Sequence, residues 1–126
     1  MSEHPNATLI RRMLDAMATG DRQAMSDSLA DDVVWHEIGN PEPVRGKAAL
    51  GARFGGDTPP DYEISVELHD VVASDEHTIA LVQATAKRGG RTFSYRTAEI
   101  FHIRDGKITE RWAFSNDTAA ITEFFA

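Results

Sequence analysis

Asp31-Asp32-Val33-Val34-Trp35-His36-Glu37-Ile38 is the stretch where the chain changes its hydrophobic period. Before it, Leu9, Ile10, Met13, Leu14 and Met17 recur at three- and four-residue steps, which places them on one stripe of a helix. Asn6 is expected to cap that helix, because its side-chain oxygen can accept from a free backbone N–H. Gly20 ends it, and Asp21 caps a shorter second helix carrying Ala24, Met25, Ser28 and Leu29. From Val33 to Ile38 the residues are mainly β-branched or aromatic, and the run stops at Gly39-Asn40-Pro41, so it reads as a strand and then a loop. Gly46 to Phe54 reads as a third, weaker helix with Ala48, Ala49, Leu50 and Phe54 on its apolar side. The break at Gly55-Gly56-Asp57-Thr58-Pro59-Pro60 is too short for a linker between domains.

Beyond it the chain is strand-rich. Tyr62 to Ala73, Thr78 to Lys87, Thr92 to Ile103 and Ile108 to Ser115 are separated by turns at Ser74-Asp75-Glu76, Arg88-Gly89-Gly90-Arg91 and Arg104-Asp105-Gly106-Lys107. Asp117 can cap a last short helix carrying Ile121, Phe124 and Phe125. The order α-α-β-α-β-β-β-β-α predicts one α+β domain over residues 1–126. Its curved mixed or antiparallel sheet wraps the N-terminal helices into a cone with a central pocket.

Composition excludes more than it assigns. The 126 residues carry thirteen Lys and Arg against twenty Asp and Glu, a formal net charge of −7. A general nucleic-acid binder would need a basic face instead. With no cysteine, disulfides, thiolate nucleophiles and cysteine-based zinc sites are excluded. His4, His36, His69, His77 and His102 lack metal-ligand spacing, so neither metal nor cofactor is implied. No apolar run approaches the roughly 20 residues of a membrane span, and the first residues lack a basic-then-apolar leader, so the expected location is cytoplasmic.

Several segments together resemble the SnoaL-like branch of the nuclear-transport-factor-2-like superfamily, the cone fold shared with ketosteroid isomerases. They are Leu29 to His36, Arg45-Gly46-Lys47-Ala48-Ala49-Leu50, Leu68-His69-Asp70-Val71, Phe101 to Ile108 and Glu110-Arg111-Trp112-Ala113-Phe114. The resemblance covers nearly the whole chain and implies a homodimer through the open sheet face. It does not by itself fix an activity, because this fold hosts isomerases, cyclases, epoxide hydrolases, dehydratases and binders.

Two acids stand out. Alternation puts Phe93, Tyr95, Thr97, Glu99, Phe101 and Ile103 on one strand face, where Glu99 is the only formal charge and is expected to point into the cone. Burial without a cation would raise its pKa and leave it a hydrogen-bond donor. The resemblance implies Glu37, at the end of the first strand, as a base and Glu99 as the proton donor. It also shows departures: both acids are Glu where those isomerases use Asp, and Met13 stands near the place of their helix tyrosine. Tyr95 is the substitute. The structural alternative has Glu37 facing solvent and Glu99 paired with Arg96 or Arg111. Trp35, His36, Tyr95, Phe101, Trp112 and Phe114 are candidates to line a pocket for a small hydrophobic ligand, as is Phe54, although a place in the core suits Phe54 better. Which face of the last strand looks inward depends on a bulge. The epoxide-hydrolase route lacks its acid in Arg111-Trp112-Ala113-Phe114.

Three functions are consistent with these residues. The first is a cofactor-independent isomerase or cyclase that moves a proton beside a carbonyl, the second a non-catalytic ligand-binding or dimeric scaffold domain, and the third a hydratase or dehydratase using His36.

Overall fold

The structure, a computed structural model, describes residues 3–55 and 61–126, with the backbone alone at 54 and 55. The Phe54 side chain and most of the break before Tyr62 therefore lie outside the described residues. Helix α1 spans Pro5–Thr19 and α2 spans Arg22–Asp27. The cap of α1 is His4 rather than Asn6: its Nδ1 accepts the Asn6 N–H at 3.1 Å. Pro5 explains the shift, since it has no N–H to satisfy and its fixed φ suits the first helical position. Gly20, at φ +73°, ends α1, and Asp21 caps α2 through the Ala24 N–H at 3.0 Å.

The strands are β1 (Leu29–Trp35), β2 (Val44–Arg45), β3 (Glu63–Ala73), β4 (Thr78–Arg88), β5 (Arg91–Arg104) and β6 (Lys107–Ser115). Helix α3 (Lys47–Gly55) follows β2, and α4 (Thr118–Phe125) closes the chain. The six strands form one sheet in the order β2-β1-β6-β5-β4-β3. Only β1 and β6 run parallel, so the sheet is mixed. The β4–β5 and β5–β6 turns each place two successive residues at positive φ, Gly89-Gly90 and Asp105-Gly106. That geometry matches the twist of paired strands and explains both short hairpins.

Two features differ from the sequence reading. Strand β1 begins earlier, at Leu29, and leaves the sheet at Trp35, so Glu37 and Ile38 lie past its end. The two-residue β2, read above as loop, adds an edge by pairing Val34 with Arg45 and Trp35 with Val44.

Register shifts in the β3–β4, β1–β6 and β5–β6 pairings bend the sheet around α1. Its inner face packs Ile10, Val33, Phe101 and Ile108, all fully buried, into one core. Burial of each of these large side chains contributes about 1.5–3 kcal/mol. At the other end of the same face, α4 lays Phe124 on Phe93 (5.3 Å between centroids) and turns Phe125 edge-on to Tyr95 (6.4 Å).

Candidate functional site

The inner row of β5 carries Tyr95, Thr97, Glu99 and Phe101, as alternation predicts, and Glu99 does face inward. Its cross-strand neighbours are Ala80 and Ala113, small residues that leave room beside the carboxylate. Arg111 fills that room. Its Nη2 donates to Glu99 Oε1 at 2.8 Å and its Nε to the same oxygen at 3.2 Å, while Thr97 Oγ1 donates to Oε2 at 3.2 Å. Arg111 also donates through Nη1 to the His36 carbonyl at 2.9 Å and lies 4.6 Å over the Trp35 ring. Both charged side chains are nearly buried, with exposures of 11% for Arg111 and 12% for Glu99.

This arrangement changes the chemistry expected of Glu99. The premise of burial without a cation does not hold, because Arg111 supplies the cation. Both carboxylate oxygens accept, so neither is placed to donate to a developing oxyanion. Of the two arginines left open by the sequence, Arg96 is on the opposite face, and the partner is Arg111.

Glu37 is also paired. Arg53 of α3 grips it with two parallel hydrogen bonds, Nε to Oε1 at 3.0 Å and Nη2 to Oε2 at 3.1 Å. Glu37 does not face open solvent, having 19% side-chain exposure, whereas Arg53 is 57% exposed. The bond and charge of Glu37 raise the pKa of Arg53 above its usual value. Tyr95 is pushed above its ordinary value of 10.0 chiefly by burial and then by the charge of Glu99, with Arg111 acting in the opposite sense. Its phenol therefore stays protonated at neutral pH and can donate.

The six expected pocket residues divide between environments. Trp35 and Tyr95 are on the inner face, and Phe101 is fully buried in the core. His36, Trp112 and Phe114 are on the outer face, so they do not join the others in one pocket. There the His36 Nε2 lies 2.8 Å from Glu110 Oε2, and the His36 ring stacks parallel to Trp112 at 5.6 Å. Leu81, Ala98 and Phe114 form a cross-strand row beside a second row of Val72, Ile79, Ile100 and Trp112.

Of the apolar hollow beside Trp35, the sequence reading named Trp35 alone as a lining residue. An apolar cleft of about 490 Å³ opens between α1, α2, β1 and the first turn of α3. Its walls are Met13, Met17, Met25, Leu29, Trp35 and Leu50, with Lys47 and Arg22 also lining it. A second hollow, of about 520 Å³, lies at the β4–β5 turn among Asp61, Lys87, Arg88 and Arg91. It is charged and remote from Trp35 and the paired acids, so its size does not make it the better site for an apolar ligand. The available signal for the cleft was its methionines, two of them in the α1 stripe, since flexible thioethers suit adaptable apolar surfaces. Among the described residues, no group of three or more His, Asp or Glu side chains is arranged to hold a metal ion. No described helix is long and apolar enough to cross a membrane.

The model of the SnoaL-like domain matches residues 10–111. An uncharacterised protein of Mycobacterium tuberculosis is 30% identical over 138 aligned positions spanning 100% of both chains. Among solved structures, a protein of unknown function from Burkholderia pseudomallei superposes with a TM-score of 0.85 at 17% identity, covering 98% of this chain and 99% of that one. A second Mycobacterium tuberculosis protein, solved in complex with estradiol-17β-hemisuccinate, gives a TM-score of 0.74 at 20% identity over 89% of this chain and 94% of that one. At these two structural identities the likeness is one of fold.

Proposed function

The chain belongs to the SnoaL-like domain family, and on that premise we propose that it binds a small, largely apolar molecule in the cleft beside Trp35. The observation that carries this reading is the cleft itself: about 490 Å³ of space walled by three methionines, two leucines and an indole. That volume lies in the range of small-molecule sites. The steroid bound by the Mycobacterium tuberculosis neighbour supports the same ligand class. In this reading the Arg111–Glu99 pair is a buttress. Arg111 holds Trp35 through its ring face and the next residue through its carbonyl, which fixes one wall of the cleft.

Trp35 can report the test. In a Trp112→Phe background it is the sole indole, and titration with estradiol is expected to change its emission saturably. Met17→Glu places a charge at the cleft's exposed edge and is expected to weaken binding at least tenfold. Absence of saturation, or equal affinity for both forms, would count against the reading.

A second reading, proton transfer beside a carbonyl, is favoured by one observation: Tyr95 is an inward phenol kept protonated near Arg111 and Glu99. Glu37 would then be the base and Tyr95 the oxyanion donor, with Glu99 orienting Arg111. Under this reading Glu37→Gln abolishes turnover of a model enone and leaves estradiol binding intact. Unchanged turnover removes Glu37 from that role.

A further inference from the structure

The proposed ligand-binding cleft has a polarity that narrows what it can hold. Among the described residues its lining includes two cations, Lys47 and Arg22, and no carboxylate. The chain as a whole has the opposite balance, twenty acids against thirteen Lys and Arg. Lys47 is well placed to use the polarity of the cleft. Its side chain is only 29% exposed, and among the described residues the acid it contacts is Asp31, at the 4.0 Å limit of an ion pair and itself fully exposed. A contact of that length to a solvated carboxylate contributes little, so the ammonium retains donor capacity toward a ligand.

The backbone adds to this. Lys47 opens α3, and the Leu50 N–H bonds to the Gly46 carbonyl at 3.0 Å, which puts Gly46 in the capping position. Glycine has no side chain to cap the first turn. The partial positive charge of that turn therefore acts in the same direction as Lys47. Leu50 and Gly51, one turn along, line the cleft, so the cationic edge and the apolar wall belong to one continuous surface.

Resting on the ligand-binding reading above, we infer that the cleft takes an anionic amphiphile. An aliphatic or aromatic body lies against Met13, Met25, Leu50 and Trp35, and a terminal carboxylate reaches Lys47. The apolar part supplies most of the affinity, and the carboxylate supplies a charge-assisted hydrogen bond that selects the acid over its neutral analogue. Neutral polar termini of the same shape leave the ammonium without that partner.

The test compares dodecanoate, below its micelle concentration, with dodecan-1-ol, below its solubility limit, by Trp35 emission in the Trp112→Phe protein. Dodecanoate is expected to bind about tenfold more tightly. Lys47→Met is expected to bring the two to parity by weakening dodecanoate alone, and Lys47→Arg to preserve the preference. Lys47 is partly exposed at a helix start, so its replacement is compatible with folding, and circular dichroism of each variant checks this. Equal binding of acid and alcohol to the parent protein overturns the inference while leaving the ligand-binding reading in place. A preference that survives Lys47→Met overturns it as well. Binding of neither probe overturns the inference, and the estradiol titration then decides the ligand-binding reading by itself.

Discussion

Removing Arg111 should disturb this fold more than removing any exposed charge, and the pair geometry sets the size of the effect. Arg111→Met leaves Glu99 nearly buried with only the Thr97 hydroxyl as a donor. Stripping one partner from a buried ion pair costs about 3–5 kcal/mol. The residual exposure of both side chains puts this case at the lower end, about 3 kcal/mol. Glu99→Leu is expected to cost less, about 2 kcal/mol, because Arg111 keeps the His36 carbonyl and the Trp35 ring. The double variant removes both charges and fills the space with apolar atoms. Its cost is expected at about 2 kcal/mol, mainly from the orphaned Thr97 hydroxyl and His36 carbonyl. The resulting coupling energy is about 3 kcal/mol, at the upper end for a direct pair. The assay is urea unfolding followed by circular dichroism at fixed protein concentration. As a check, each kcal/mol corresponds to roughly 4 °C in Tm for a domain of this size. Single-variant costs below about 0.5 kcal/mol, or costs that simply add in the double variant, would refute the buttress.

Three further outcomes can be checked separately. Because burial raises the Tyr95 pKa above 10.0, the unfolded chain releases the phenolic proton first as pH rises. The stability tied to that proton is therefore complete below pH 10 and is lost above it; unfolding midpoints from pH 9 to 11 should fall, and Tyr95→Phe should flatten the fall. On the outer face, Phe114 is 61% exposed, Val72 54% and Leu81 40%, an apolar patch of the kind that marks association, and a second copy of the chain is the occupant we propose. Sedimentation should find a dimer that Phe114→Asp converts to a monomer, and a parent protein monomeric at tens of micromolar refutes this proposal. Gly39 sits at φ +80°, and a Cβ there would come within 2.5 Å of Thr122 Oγ1 on α4; Gly39→Ala is expected to cost about 1–2 kcal/mol in thermal or urea unfolding, and an unchanged midpoint would show that the loop relaxes freely.

The long elements were legible because each carried its own period and its own stop. Met13 and Met17 sit on a helical stripe that Gly20 ends, and the alternating run of β5 stops at Asp105-Gly106. Strand β2 was not legible, since two residues cannot display alternation and Val44-Arg45 follows two prolines. The inward face of β6 was hidden for a sharper reason. Ile103 pairs with Ile108, but His102 pairs with Glu110, so Thr109 is an extra residue. Both Ile108 and Arg111 therefore face inward although three positions apart, and Glu110, Trp112 and Phe114 turn outward. Strict alternation from Ile108 would have given the reverse. One inserted residue thus replaced an expected aromatic wall with an arginine.

That insertion also decides which chemistry the interior favours. A buried glutamate among aromatics is a candidate acid only while no cation reaches it, and the bulge brings Arg111 to Glu99. With Glu99 and Glu37 each held by an arginine, Lys47 stands against the cleft with a weak, solvated partner, Asp31, as its one acid contact among the described residues. Attraction at that point is local. The whole chain carries −7, so its long-range field repels an anion rather than steering it, and the Debye length of about 8 Å at physiological salt confines any pull from Lys47 to the cleft itself. An acid must therefore arrive through its apolar body, with the methionines and Trp35 making first contact and the ammonium acting once the ligand is seated. Selection for the carboxylate then appears in the dissociation rate, while the association rate follows the hydrophobic surface.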